Sequence, residues 1–291
     1  MKQEIIKKAQ NKILEKRLKA EENYQNSMQS LYKDESFIKL EKEHTRLLIA
    51  NAQKESQNEK ADKKQEETLK NQINDFKKRY NVLAEPEYEC KLCHDEGYKN
   101  GQMCTCLKRE ISNILLKESG FENLHSFNDN KDTDLAPMFK LMKDWCNKKS
   151  DKNLIYIDGP TGVGKTYLLQ CMANELINNG KIVKIVTAFA MNQDFKTFQK
   201  TGEEDYLQKY LDCEVLFIDD LGTEPNYKNV TVENLYIVIN ERKMRKLPTI
   251  ITTNLTLEDI RNRYDERIFS RIIDRQTSIT VSIKGDDKRK K

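Results

Sequence analysis

The first 84 residues contain neither glycine nor proline, although the chain of 291 residues has ten glycines and five prolines. Both residue types interrupt helices, and the segment is rich in lysine, glutamate, glutamine and leucine, so its composition favours helix. Long hydrophobic runs are also missing. No stretch approaches the ~18–20 apolar residues of a membrane span, and the N-terminus lacks the apolar core of a signal peptide. The composition therefore predicts a cytoplasmic protein that makes no membrane contact.

A large charge of one sign is absent as well, since 51 basic and 47 acidic side chains leave a net charge of +4. Residues 1–84 carry 19 basic and 14 acidic side chains, and the tail 285–291 carries four basic and two acidic ones. The part between them is slightly acidic, so a nucleic-acid contact there must come from a local basic patch. One candidate patch comprises Arg242, Lys243, Arg245 and Lys246; a solvated helix face is the alternative.

The composition changes several times along the chain. Apolar residues of 1–84 recur at helical spacing in separate patches, which predicts a helical arm of two or three amphipathic helices that bind a partner or pair loosely as a coiled coil. A solvated arm without a partner is the alternative. The remaining segments are a cysteine-rich module (85–120), a polar linker (121–134), a region of alternating patterns (135–284) and a basic tail (285–291).

Short β-branched runs alternate with helical patterns in residues 135–284. Candidate strands are 153–158, 181–187, 214–219, 248–253 and 278–283. Such alternation predicts a three-layer α/β domain with a mainly parallel sheet. Ligands of such sheets bind at the carboxyl ends of the strands, so the chemistry is expected at that edge.

Four of the seven cysteines are clustered in the string CKLCHDEGYKNGQMCTC: Cys90, Cys93, Cys104 and Cys106. Two close pairs joined by a loop, in which Gly97 and Gly101 supply the turn, bring four thiolates around Zn²⁺. Four protein ligands leave no open position, so the predicted zinc site is structural. His94 and His125 are alternative ligands, and a redox pair or unligated thiols are the competing interpretation. The other three, Cys146, Cys171 and Cys213, are predicted to be buried small hydrophobes.

The string GPTGVGKT matches the phosphate-binding loop G-x-x-x-x-G-K-[ST] in full, between a predicted strand and a predicted helix. Its members are Gly159, Pro160, Thr161, Gly162, Val163, Gly164, Lys165 and Thr166. In such a loop the backbone N–H groups wrap the phosphates at a helix N-terminus. We expect Lys165 to reach the β- and γ-phosphates and the Thr166 hydroxyl to bind Mg²⁺. The motif predicts ATP and Mg²⁺ as ligands.

Two acidic residues and one amide follow two other candidate strands. The apolar run VLFI ends in Asp219 and Asp220. We expect the first carboxylate to hold Mg²⁺ and the second to orient and polarise the attacking water. Asn254 follows the strand PTIITT and is expected to hydrogen-bond the γ-phosphate or the water; a strand-end cap is the alternative.

The strings GPTGVGKT, FIDDLGTE, ITTNL and ERIFSRI occur in the order seen in AAA+ ATPases, and the chain resembles the DnaC/DnaI-type replicative helicase loaders of the IstB-like superfamily over about residues 120–284. The resemblance implies Walker B residues at Asp219 and Asp220 and a sensor 1 at Asn254. It also implies an arginine finger at Arg271 that reaches the γ-phosphate of a neighbouring subunit. Arg267 competes for that role, and a surface basic face is the alternative for both.

Two further features bear on the resemblance. The cysteine module with its D-E-G-Y turn is similar to the zinc-binding amino-terminal region of the Gram-positive loaders. The chain ends about eight residues after the last candidate strand, so the resemblance implies an AAA+ core without a C-terminal helical lid. We expect three arginines, Arg267, Arg271 and Arg275, on one face of a single helix.

The loader resemblance implies a function as well. The N-terminal region would bind the replicative DNA helicase, ATP would promote self-association, and ATP binding and hydrolysis would control loading onto single-stranded DNA. One alternative is an IstB-like transposition helper ATPase that acts on duplex DNA. Another is an adaptor that binds nucleotide without hydrolysis, against which the intact acidic pair speaks.

Overall fold

A computed structural model describes most of the chain. The described residues are 3–57, 59–83, 85–129, 135–148 and 152–288. Contacts divide the chain into two compact units, Lys12–Glu96 and Met1–Asn11 with Gly97–Lys291. Within the described ranges, every helix is too short or too polar to cross a bilayer.

Three helices form the amino-terminal arm: α1 (Gln3–Met28), α2 (Glu35–Ser56) and α3 (Lys63–Arg79). The second begins at an Asp34 cap, whose side chain accepts the backbone N–H groups of Ser36 and Phe37. Phe37 is fully buried and packs 5.9 Å from the Phe76 ring, between ring centroids, in a small core of this unit. The prediction of a helical arm is confirmed. The broken apolar pattern of the sequence is consistent with the small size of this core.

A short hairpin and a helix lie within the cysteine-rich module. Strands β1 (Tyr98–Lys99) and β2 (Gln102–Met103) pair antiparallel. Asn100 and Gly101 both have positive φ, 51° and 75°, as a tight hairpin turn requires. Helix α4 (Thr105–Glu118) comes next.

Five strands form one sheet: β3 (Leu154–Asp158), β4 (Val183–Thr187), β5 (Val215–Leu221), β6 (Thr249–Thr253) and β7 (Ser278–Ser282). Their order in space is β4-β5-β6-β3-β7, and every pairing is parallel. Each agrees with a candidate strand to within two residues. Because β6 lies between β3 and β5, the residues after β6 reach both the phosphate-binding loop and the acidic pair.

Helices cover both faces of the sheet: α5 (Ala136–Asn147), α6 (Lys165–Asn178), α7 (Ala188–Thr201), α8 (Asp205–Leu211), α9 (Thr231–Met244), α10 (Leu257–Tyr264) and α11 (Glu266–Ile272). Successive side chains of a strand point to opposite faces. On β3, Ile155 and Ile157 pack in the core with α5 and α6, whereas Tyr156 packs in the second core with α7 to α11. The predicted three-layer α/β fold is confirmed.

Arg242 on α9 is fully buried, so its prediction as part of a solvated or DNA-contacting patch is wrong. Its guanidinium donates to the carbonyl oxygens of Tyr210 at 2.8 Å and of Pro248 at 2.7 Å. Its Nε donates to Thr249 Oγ1 at 2.9 Å. The guanidinium satisfies backbone acceptors at the end of α8 and just before β6, which accounts for its burial without a carboxylate.

Candidate nucleotide-binding site

The phosphate-binding loop connects the end of β3 to the start of α6. Gly164 caps α6 with φ = 101°, a left-handed conformation that glycine adopts without a steric penalty. The loop borders a cavity of about 290 Å³. Its lining comprises Thr161, Gly162, Gly164, Lys165, Thr166, Tyr167, Asp220 and Asn254. Residues at or after the ends of three different strands therefore meet at one place, at the carboxyl edge of the sheet.

Lys165 connects the loop to the end of β6. Its side chain is 5% exposed, and Nζ donates to the carbonyl oxygens of Gly159 at 2.7 Å and Pro160 at 2.8 Å. The same Nζ donates to Asn254 Oδ1 at 2.5 Å. The ammonium and the amide predicted to contact the γ-phosphate are thus direct neighbours.

Asp219 lies beside Thr166. The Thr166 hydroxyl is 3.2 Å from both carboxylate oxygens, and the Thr252 hydroxyl donates to Oδ1. Burial raises the pKa of Asp219, while the hydrogen bonds from Thr252 and Thr166 act in the opposite direction. A carboxylate and a hydroxyl side by side are hard oxygen donors, so these residues fit Mg²⁺.

Asp220 leaves the line of the strand. Its φ is 55°, and its N–H donates to Thr252 Oγ1 at 3.1 Å. Aspartate tolerates this left-handed conformation better than most residues. The turn puts Asp220 in the lining of the cavity, whereas Asp219 stays 4% exposed beneath it.

Thr252 was not predicted from the sequence, although it contacts both members of the acidic pair. Its hydroxyl donates to Asp219 and accepts from the Asp220 N–H. Its position two residues before Asn254, in the buried strand TIITT, was the available signal. A buried hydroxyl needs a partner, and the neighbouring strand ends in two carboxylates.

The two finger candidates are not among the residues that line the cavity. Arg271 Nε donates to Asn240 Oδ1 at 3.1 Å, on α9. The Arg267 guanidinium lies 4.9 Å from the centroid of the Tyr236 ring and 2.8 Å from Asp265 Oδ2. Both arginines therefore lie along α9.

The third arginine of the predicted row is not on the same helix. Helix α11 ends at Ile272, and Ile273 caps it. Asp274 then organises a turn, because its carboxylate accepts the Gln276 N–H at 3.0 Å and the Thr277 hydroxyl at 2.9 Å. Arg275 lies within this turn, so the prediction of three arginines on one helix face is wrong.

The four clustered cysteines come together. The sulfur atoms of Cys90, Cys93, Cys104 and Cys106 all lie within 4.8 Å of one another. Four converging thiolates fit a tetrahedral Zn²⁺. The two histidines considered as alternative ligands contact tyrosine rings instead: His94 stacks on Tyr88 at 5.3 Å, and the tilted His125 ring lies 4.4 Å from Tyr167, between ring centroids.

The other three cysteines are buried, as predicted: Cys146, Cys171 and Cys213. Burial raises the pKa of the Cys171 thiol to about 12. Such thiols stay protonated at neutral pH and behave as small apolar side chains.

A parallel sheet with a phosphate-binding loop after its first strand and an acidic pair at the end of its third defines a P-loop ATP-binding protein of the AAA+ class. The chain belongs to the family described as IstB-like ATP binding protein, which matches residues 111–291. The predicted resemblance to this family and to the DnaC-type loaders is confirmed.

Several known proteins are similar to the chain. The phage-like element PBSX protein XkdC of Bacillus subtilis (strain 168) is 28% identical over 229 residues, which are 68% of this chain and 83% of that protein. The replicative helicase loader DnaC of Escherichia coli (strain K12) is 32% identical over 119 residues, which are 39% of this chain and 47% of DnaC. The match thus spans about half the length of DnaC.

The chromosomal replication initiator protein DnaA of Campylobacter jejuni (strain 81116 / NCTC 11828) is 36% identical over 103 residues, which are 35% of this chain and 23% of DnaA. Among solved structures, AMPPCP-bound DnaA from Aquifex aeolicus matches with a TM-score of 0.50 and 20% identity, over 57% of this chain and 51% of that one. This likeness shows the fold alone.

Proposed function

We propose that the chain is a cytoplasmic, ATP-dependent loader of the replicative DNA helicase. It binds the helicase through its N-terminal region, self-associates with ATP and controls loading onto single-stranded DNA. The observation that carries the ATPase part is the single cavity shared by the phosphate-binding loop, Asp220 and Asn254. The likeness to the loader DnaC supports the helicase as partner.

The first proposed step is phosphate binding. The N–H groups at the start of α6 would bind the phosphates, and the helix dipole would favour their negative charge. Lys165 Nζ donates to two carbonyls of the loop and to Asn254. A phosphate oxygen would replace at least one of these acceptors.

Hydrolysis is the second proposed step. Thr166 and Asp219 would hold Mg²⁺, which supplies charge neutralisation for the β- and γ-phosphates. Asp220 lines the cavity and would orient the attacking water and accept its proton. Asn254 would hold the γ-phosphate or the water, and its contact with Lys165 keeps both groups at the same end of the cavity.

The arginine for the transition state would come from a second copy of the chain. Arg271 and Arg267 lie along α9 and do not line the cavity of their own chain. A cation next to the γ-phosphate stabilises the charge that develops during phosphoryl transfer. We propose Arg271 as this finger and Arg267 as the competing candidate.

The cysteine group would hold a structural Zn²⁺. Its module (85–120) is one of five proposed segments, with an arm (1–84), a linker (121–134), an ATPase domain (135–284) and a tail (285–291). Metal analysis of the purified chain should give one zinc per chain, and Cys93→Ser should lower that content strongly. A folded, zinc-free wild-type chain would contradict the assignment.

The loader function is tested by purifying the tagged full-length chain from its native extract with ATP present and identifying the bound proteins. Recovery of the replicative helicase is expected, and its loss is expected when residues 1–110 are deleted. Recovery of a transposase would support the transposition helper instead. Helicase binding by the truncated chain would contradict docking through the N-terminal region.

A further inference from the structure

Glu224 contacts two parts of the ATPase domain: the loop after the acidic pair and the end of α10. It lies in the loop after β5 and is 3% exposed. One carboxylate oxygen accepts the Gly222 N–H at 2.9 Å, and the other accepts the Tyr264 hydroxyl. Gly222 follows the acidic pair, whereas Tyr264 is the last residue of α10. A buried carboxylate bound by donors from two elements fixes those elements relative to each other.

Arg263 strengthens the same connection. Its guanidinium donates to the Glu224 carbonyl oxygen, and Nη2 lies 3.9 Å from the Glu224 carboxylate. In the opposite direction, the Asn226 side-chain amide donates to the Arg263 carbonyl oxygen at 3.5 Å. The loop after β5 is thus attached to two consecutive residues at the end of α10, through side-chain and backbone groups.

Both ends of this connection contain a non-glycine residue with positive φ. Asp220, at one end, has φ = 55°, and its carbonyl oxygen accepts the Thr223 hydroxyl at 2.8 Å. Asp265, at the other end, has φ = 90° and ψ = 167°, and its carboxylate caps α11. Such conformations persist only where surrounding contacts maintain them. Glu224 supplies such contacts next to both residues.

We propose that Glu224 is a positioning residue that ties the orientation of Asp220 to the junction between α10 and α11, and so to the placement of Arg267 and Arg271. This inference rests on the proposed ATPase function. Glu224 is not in the lining of the nucleotide cavity and acts through Gly222 and Tyr264. Contact of α11 with a neighbouring subunit would then influence the position of Asp220 in its own subunit, which couples successive nucleotide sites.

The test replaces Tyr264 by phenylalanine, which removes one donor to Glu224 and keeps the ring. The matched control is Tyr210→Phe, because the Tyr210 hydroxyl also donates to a carboxylate, that of Asp194, and its ring is fully buried. For the full chain with ATP, kcat, KM and amide hydrogen exchange are measured for both variants. Tyr264→Phe should lower kcat about tenfold through misplacement of Asp220, with KM changed less than about twofold. Exchange should rise in both 219–224 and 265–272.

A rise of exchange in 265–272 alone, or a kcat no lower than that of Tyr210→Phe, would overturn the proposal. If Tyr264→Phe does not fold, Glu224→Gln replaces it, since glutamine keeps the shape but has one acceptor oxygen in place of two. The same changes in kcat and exchange are then expected. If the wild-type chain hydrolyses no ATP, the proposed function fails, whereas the exchange measurement still decides whether the two segments are coupled.

Discussion

The nucleotide cavity and helix α11 differ in how their predicted site residues are placed within one chain. At the cavity, predicted residues bind one another directly: Lys165 donates to Asn254 at 2.5 Å, and Thr166 lies 3.2 Å from the oxygens of Asp219. On α11, Arg271 is bound to α9 and does not line the cavity. We therefore propose that one chain contains the groups for binding ATP and that fast hydrolysis needs a second copy.

The largest expected effect is a loss of ATP binding at the cavity. Lys165→Met should abolish measurable ATP binding, because the phosphates lose their buried cation. Lys184→Met is the matched control, since Lys184 is 6% exposed but does not line the cavity. Binding is followed with a fluorescent ATP analogue. Retained affinity in Lys165→Met, or an equal loss in the control, would contradict the assignment of the loop.

The next largest effect is a loss of ATP hydrolysis on replacement of an arginine of α11. Arg271→Ala should leave ATP affinity unchanged and lower kcat at assembling concentrations by about a thousandfold, which is the usual contribution of an arginine finger. Arg275→Ala, outside α11, should change neither quantity. If Arg267→Ala gives the large loss and Arg271→Ala does not, the two candidates exchange roles. Weaker ATP binding by Arg271→Ala would place this residue in the site of its own chain.

A smaller loss of hydrolysis is expected from a change next to the acidic pair. Thr252→Val removes the hydroxyl that contacts Asp219 and Asp220, and it should lower kcat about tenfold, since a misplaced catalytic group reacts more slowly. Thr280→Val, at an exposed position of β7, is the control. Steady-state hydrolysis measures both. An unchanged rate would mean that contacts other than the Thr252 hydroxyl orient the acidic pair.

The smallest effect concerns stability and pH. Because burial raises the pKa of Asp219, its ionisation opposes folding above that pKa. Without Mg²⁺, Asp219→Asn should therefore unfold at a temperature about 2–4 °C higher than the wild type at pH 7. The difference should shrink as the pH falls through the raised pKa and vanish below the ordinary value of 3.8. A difference in unfolding temperature that does not change with pH, or a variant that unfolds at a lower temperature than the wild type, would contradict the role of burial.

Much of the cavity could be predicted because its residues are adjacent in sequence to strand ends. A parallel sheet brings the carboxyl ends of its strands to one edge, so GPTGVGKT, Asp219 and Asn254 had to converge. The predicted strands agree with the observed ones because short, buried, β-branched runs specify a strand strongly.

Contacts between residues far apart in sequence could not be predicted in this way. The pattern of the sequence assigned no role to Glu224, yet it is buried against Tyr264, 40 positions later. Arg242 reads as one member of a basic run, yet its guanidinium satisfies carbonyl groups near β5 and β6. Composition and periodicity carry no information about such partners, because they depend on how separate loops pack.

The most direct test of the division between binding and hydrolysis is a mixing experiment. Arg271→Ala and Asp220→Asn chains are each assayed for ATP hydrolysis, alone and mixed in equal amounts; asparagine tolerates the positive φ at residue 220. Each variant alone should be inactive. The mixture should recover activity, because an intact Asp220 on one chain meets an intact Arg271 on its neighbour. No recovery, in a mixture shown to assemble, would contradict the account.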